Sequence, residues 1–222
     1  MGFMKVIPAI LPKTIEELKG PLEKLTPHFK TFQIDISDEA FVSQNTLAVE
    51  DITATLMSYP QITFDFHLMV FDFGRIINYL RNLTSKIKIG HIFVHHKAIP
   101  PKTLFTPGSG PFVIGLVINP EEEVKQLSTL YSFEEMEAIQ VMTVHPGAQG
   151  QEFIKESLRK IEQLRLLNYR KEIFIDGGVN NKTVPFILSQ NYPPDVLAVG
   201  SFLTHAENLQ ENIKYLKETL AV

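Results

Sequence analysis

Glu172-Ile173-Phe174-Ile175-Asp176-Gly177-Gly178-Val179 is a short apolar run that ends in an acid and then in two consecutive glycines. A run of this length bounded by glycine reads as a buried strand, and the glycines let backbone N–H groups come close to a ligand or take the positive φ of a tight turn. About twenty residues on, a second apolar run over 196–200 ends in Gly200-Ser201. Glycine-bearing loops after two successive strands, with a helix start nearby, are a recurrent arrangement for binding phosphate.

Working outward from this pair, strand-like runs recur near 5–11, 31–36, 62–68, 91–95, 112–118 and 139–144, with helix-periodic segments between them. Thr14-Ile15-Glu16-Glu17 opens the first helix as a capping box, and Gly20-Pro21 predicts a kink or restart there. After the sixth strand, Ile154, Leu158, Ile161 and Leu164 share one helical face; Leu209, Ile213, Leu216 and Leu220 do so in the last helix. Eight strands, each followed by a helical segment, predict an α/β chain folded as a (β/α)8 TIM barrel, and the glycine loops after the seventh and eighth strands point to the phosphate-binding type. An open doubly wound sheet has the same local pattern. Lys97 to Pro111, rich in Pro and Gly, is expected to be a long loop. No linker or compositional shift marks a boundary, so residues 1–222 are read as one barrel domain.

The chain has 222 residues, 44% apolar and 21% charged, with a net charge of -4. It has no Lys/Arg-rich run, which argues against nucleic acid as a partner. Without cysteine, disulfides, thiolate catalysis and Cys-ligated zinc are excluded, leaving His, Asp and Glu as metal ligands. No run approaches the ~18 apolar residues of a membrane span, and the N-terminus lacks signal-peptide character. A soluble cytoplasmic protein is expected.

On the second strand Gln33, Asp35 and Ser37 share a face, because residues two apart point to one side. In a barrel both faces are covered, so a carboxylate at a strand's C-terminal end must be paired, bound to metal or functional. On the third strand Asp65 and His67 share a face; the histidine reads either as a satisfied core residue or as a ring that Asp65 orients through a hydrogen bond, as metal-binding histidines often require. Pro146-Gly147-Ala148-Gln149-Gly150-Gln151 after the sixth strand reads as a lid or as an ordinary connection. His145 and His95-His96-Lys97 fall at the same mouth; no role attaches to His96 or His145.

Together these segments resemble the ribulose-phosphate 3-epimerase family. The likeness runs through Pro8-Ala9-Ile10-Leu11, the Asp35 strand, Asp65-Phe66-His67-Leu68-Met69 and Gly115-Leu116-Val117-Ile118-Asn119-Pro120. It continues in Met142-Thr143-Val144-His145-Pro146-Gly147 with Gly150-Gln151 and Phe153, then in Asp176-Gly177-Gly178-Val179 and Gly200-Ser201. The resemblance implies a phosphate-binding barrel that inverts C3 of a ketopentose 5-phosphate, ribulose 5-phosphate to xylulose 5-phosphate, by two-carboxylate proton transfer. Asp35 and Asp176 match the acid/base pair. Asp35, His67 and Asp176 match three of four ligands to a divalent metal ion (Zn, Fe(II), Mn or Co). His67, Gly147, Ala148, Gln149, Gly150, Gly177, Gly178, Gly200 and Ser201 are expected to meet substrate or its phosphate. A homo-oligomer is expected, with a small-molecule ketose phosphate as partner and neither nucleic acid nor membrane.

The departures lie on the sugar and metal side. Gln33 stands at the fourth ligand position, where the family has histidine; its amide oxygen suits a hard cation but is a poorer ligand for zinc or ferrous iron. Pro12 replaces a serine, Ser37 a methionine, Lys97 a glutamate, and Ala148-Gln149 a Phe-Gly. Retention of both carboxylates favours an active epimerase. Gln33, Pro12 and Ser37 together leave open a non-catalytic or altered-specificity phosphosugar-binding paralogue with a degraded metal site. An aldolase-like synthase ranks last, since no strand lysine is placed for a Schiff base.

Overall fold

The computed structural model describes residues 4–108, 110–147 and 150–220. Eight parallel strands follow one another around a closed barrel: β1 Lys5–Ile10, β2 Thr31–Ser37, β3 Thr63–Met69, β4 Lys88–His95, β5 Val113–Ile118, β6 Ala138–Met142, β7 Glu172–Asp176 and β8 Val196–Val199. Pairing of Lys5 with Val196 through Pro8 with Val199 joins β1 to β8, which excludes the open sheet. Helices α1 Ile15–Leu25, α2 Val49–Leu56, α3 Phe73–Arg81, α4 Val124–Leu130, α5 Arg159–Leu166, α6 Val184–Leu188, α7 Ser201–Thr204 and α8 Leu209–Leu220 fill the connections. Among the described residues no helix is long and apolar enough to cross a membrane.

Closure splits the core in two. The larger layer lies between strands and helices, where Phe32, Ile34, Phe64, Phe66, Ile173 and Ile175 meet Leu18, Leu22, Ile76, Ile161 and Leu216. A smaller apolar cluster contains Ile7, Ala9, Phe93, Val117, Ala138, Met142, Phe174, Val196 and Ala198, the alternate residues of their strands. Gly115 is required here: a Cβ would come within 2.6 Å of the Phe93 ring and 3.0 Å of the Ala138 carbonyl. The same inner face carries Gln33, Asp35, Asp65, His67, His95, Gln140 and Asp176, all buried. Polar residues in this position have no water to fall back on, so each must find its partner inside the barrel.

Four local expectations need correction. Helix α1 runs through Gly20-Pro21 as one element, because Leu18, Leu22 and Leu25 are fully buried and keep the segment on the barrel despite the missing Pro21 N–H. Its cap is as expected at Thr14, whose hydroxyl accepts the Glu17 N–H at 3.2 Å, but the Glu17 carboxylate reaches the Lys13 N–H at 2.8 Å, one residue further back than a capping box requires. Ile154 precedes its helix: its N–H bonds the Thr143 carbonyl, and a 3-10 turn over Lys155–Leu158 leads into α5. The connection after β4 is not bare loop either. It holds 3-10 turns at His96–Ala98 and Lys102–Phe105, and Phe105 is buried against Tyr131.

Candidate active site

Strands β2, β3 and β7 end at the same mouth of the barrel, and the register of β2 on β3 sets Asp35 beside His67. The inner carboxylate oxygens converge: His67 Nδ1 lies 3.2 Å from both Asp35 Oδ1 and Asp176 Oδ2. Gln33 donates from Nε2 to the same two oxygens, at 2.9 and 2.6 Å. Gln140 on β6 adds a further donor to Asp176 Oδ2 at 3.2 Å. The outer oxygens, Asp35 Oδ2 and Asp176 Oδ1, take no hydrogen bond among the described residues. Both acids line one cavity of about 290 Å³.

The tautomers follow from the partners. His95 Nδ1 is 2.9 Å from Asn119 Oδ1, an acceptor, so the His95 proton sits on Nδ1 and its Nε2 is bare. That Nε2 lies 2.7 Å from His67 Nε2, which must therefore carry a hydrogen. His67 thus offers N–H at both ends, one to His95 and one to the carboxylates. Burial pulls its pKa down, but hydrogen bonds to Asp176 and Asp35 and their charges outweigh this and raise it to about 9. His95 goes the other way, well below the ordinary value, through burial and then the neighbouring His67 charge. Burial raises Asp35 above the usual carboxylate range, with the Asp176 charge adding to it and the His67 hydrogen bond opposing.

The acid–imidazole group has the composition of a metal site. Asp35, His67 and Asp176 each present a ligand atom, all within 4.8 Å of one another, and all three are buried. Gln33 Oε1 is buried with no hydrogen-bond partner. Two carboxylates and an imidazole, with an unused amide oxygen on the side chain that already touches them, fit a divalent cation.

The glycine turns complete the cavity. Gly177 and Gly178 have φ of 115° and 65°, and a Cβ on Gly177 would sit 2.5 Å from Val144, so both backbone and packing demand glycine there. The Thr143 hydroxyl donates to the Gly177 carbonyl, while Asn180 and Thr183 donate to that of Gly178. These bonds fix the peptide planes of the turn. Gly147, Gly150, Gly200 and Ser201 line the same cavity. Ala148 and Gln149 lie outside the described residues.

Not every residue placed by sequence at the mouth arrives there. Asp65 does not orient His67; its Oδ1 accepts from the His91 N–H at 2.8 Å and lies 3.1 Å from His91 Nδ1, at the other end of the barrel. Successive same-face residues on one strand are roughly 6.6 Å apart, whereas the neighbouring strand is about 4.8 Å away, so the short Asp side chain pairs across rather than along. The task given to Asp65 falls to His95, backed by Asn119. Ser37 turns from the site, donating to the Gln44 carbonyl and fixing the loop after β2. Lys97 donates to the Phe41 carbonyl at 2.8 Å and sits over the Phe41 ring. His96 bonds the Tyr131 hydroxyl, and His145 is exposed beside Glu121. Gln140 was not legible as a site residue: a glutamine inside an apolar run signals only that something buried must satisfy it.

A model of the Ribulose-phosphate 3 epimerase family matches residues 5–203. The ribulose-phosphate 3-epimerase of Schizosaccharomyces pombe is 25% identical over 219 residues, covering 97% of this chain and 93% of that protein. That of Bacillus subtilis is 27% identical over 206 residues, 89% and 91% of the two chains. Among solved structures, KGPDC from Streptococcus mutans superposes with a TM-score of 0.68 over 99% of this chain and 98% of that one, at 11% identity, a likeness of fold alone.

Proposed function

This chain belongs to the ribulose-phosphate 3-epimerase family, and from that premise we propose that it inverts C3 of a ketose phosphate, with D-ribulose 5-phosphate and D-xylulose 5-phosphate as the pair interconverted. The observation that carries this reading is the state of the two acids. Their inner oxygens are held by three side chains, while one outer oxygen of each takes no hydrogen bond among the described residues, and both acids line the cavity. Inversion needs one ionised and one protonated group, on opposite faces of the same carbon, which exchange roles with direction. Asp35 and Asp176 take these parts, and the raised pKa of Asp35 is the direction a proton-carrying acid requires.

The glycine turns after β7 and β8, Gly177-Gly178 and Gly200-Ser201, anchor the phosphate through backbone N–H groups; Gly147 and Gly150 approach it from the loop after β6. Among the described residues no lysine or arginine lines the cavity, so backbone dipoles do this work. Asp35, His67 and Asp176, with Gln33 as the fourth, would hold a divalent cation (Zn, Fe(II), Mn or Co). When bound, such an ion stabilises negative charge developing on the substrate oxygens, worth several kcal/mol on the order of other Lewis-acid sites. His95 and Asn119 keep the His67 ring turned toward the acids whether or not an ion is present.

A binding-only paralogue would have no use for two free carboxylate oxygens on one cavity, and nothing in the site favours it. The deciding experiment follows deuterium from solvent into C3 of ribulose 5-phosphate, beside a panel of pentulose and hexulose phosphates, with cation added or chelated. Wash-in specific to C3 is expected. Tight binding of the sugar with no exchange under any condition would establish the binding-only reading.

A further inference from the structure

The geometry points to Gln33 as a two-state ligand, an amide that bridges the carboxylates through its nitrogen when no cation is present and turns its oxygen inward to coordinate a hard divalent cation when one is. This rests on the cation-assisted reading of the same site and names the class of ion it takes. Gln33 is fully buried, and its Nε2 already touches the inner oxygens of both acids. Without a cation the opposite orientation is disfavoured, since it would give up both donor contacts and set an amide oxygen beside the oxygens of two acids. With a cation among Asp35, His67 and Asp176 the preference reverses, because an N–H cannot be a ligand and the oxygen can.

A half-turn about the last side-chain torsion exchanges the two atoms. That torsion is broad and roughly two-fold, and the two ends of the amide are nearly equal in size, so no repacking is needed. The orphaned Gln33 Oε1 shows that the outward position offers no hydrogen-bond donor to the amide oxygen among the described residues. The present orientation is therefore held by its inward contacts alone and is not locked by an outward one. Gln140 is also fully buried with an orphaned Oε1, and its Nε2 keeps a donor on Asp176 Oδ2 while Gln33 turns.

The resulting ligand set is three oxygens (Asp35, Asp176, Gln33) and one imidazole nitrogen (His67). Compared with a site holding a second imidazole, this shifts relative preference away from Zn²⁺ and toward Mn²⁺ and Mg²⁺. The test measures Zn²⁺ and Mn²⁺ affinities by calorimetry and Mn²⁺ spin resonance on the full chain and on Gln33→His and Gln33→Leu. The Zn²⁺-to-Mn²⁺ affinity ratio should rise about tenfold or more in Gln33→His, and Mn²⁺ binding should weaken about tenfold in Gln33→Leu. An unchanged ratio, or undiminished Mn²⁺ binding by Gln33→Leu, overturns the proposal, as does absence of cation binding.

Should either variant fail to fold, the wild-type chain answers alone. Its Gln33 side-chain amide resonance, followed by ¹⁵N NMR, should move on saturation with Mg²⁺, and a resonance that stays put overturns the proposal. Both readouts are binding measurements. A chain with the expected ratio but no deuterium wash-in sinks the epimerase reading alone; wash-in with an unchanged ratio sinks only the role of Gln33.

Discussion

At the C-terminal mouth of the barrel, Asp35 and Asp176 face His67; at the opposite end, Asp65 and Glu172 face His91 at 3.1 and 3.3 Å. Both imidazoles have pKa values raised to about 9, each because carboxylate partners outweigh burial. The upper acids keep an unengaged oxygen beside a cavity lined by glycine turns. The lower cluster is arranged differently: His91 stacks on Phe93 and meets the edge of Phe174, His91 and Glu172 border a hollow at that end, and Asp65 is fully buried without lining it, with Oδ2 unpartnered among the described residues. A perturbed pKa therefore marks both ends alike. What separates a site from a structural ion pair here is that the unengaged oxygens at the mouth belong to acids that line the cavity, whereas the free oxygen of Asp65 is sealed inside the barrel.

The sharpest way to break this contrast is to remove charge at each end in turn. Asp35→Asn and Asp176→Asn should each lower C3 exchange at least about a thousandfold, since each removes a proton carrier outright. Asp65→Asn should leave exchange per folded molecule within about threefold of wild type, because Asp65 has no contact with the cavity. Exchange surviving in either upper variant would break the two-carboxylate mechanism.

Stability should respond in the reverse sense. His91→Leu strands the Asp65 carboxylate in the barrel interior and should cost about 3 kcal/mol, read from the urea midpoint. A change under 1 kcal/mol, on the order of a surface pair, would mean that the His91–Asp65 contact does not hold the lower end of the barrel together.

The pH dependence sharpens the same point. His91 has a folded-state pKa of about 9 against an ordinary 6.5, so its stabilisation is complete below pH 6.5 and is lost as pH rises through about 9. His67 behaves the same way in the cation-free protein. Unfolding free energy should therefore fall from pH 7 to pH 10. His91→Leu should flatten part of that fall, and a saturating cation, which takes the place of the His67 proton, should flatten the rest. Unchanged slopes in both cases would contradict the two raised values.

The smallest expected effect belongs to Gln140. Gln140→Leu removes a donor to Asp176 together with an orphaned oxygen, so the stability terms nearly cancel, to within about 1 kcal/mol. Exchange should fall about tenfold, as for other residues that hold an active group in place. Loss of stability without loss of rate would make Gln140 a packing residue.

The alternation of apolar runs and periodic segments is a local property, and it was enough to locate all eight strands and the glycine turns at Gly177 and Gly200. Asp35 was legible for a related reason: a carboxylate at a strand's C-terminal end has few bland explanations once both faces are covered, whereas His67 and Asp176 were picked out by the family resemblance. The choice of partners was not legible. Whether Asp65 meets His67 or His91, and whether Gln140 meets anything at all, depends on which residues closure of the barrel brings side by side across strands far apart in sequence. Periodicity fixes the face a side chain points to; only register and closure fix its neighbour, because a hydrogen bond is decided over a few tenths of an ångström that no spacing along the chain encodes.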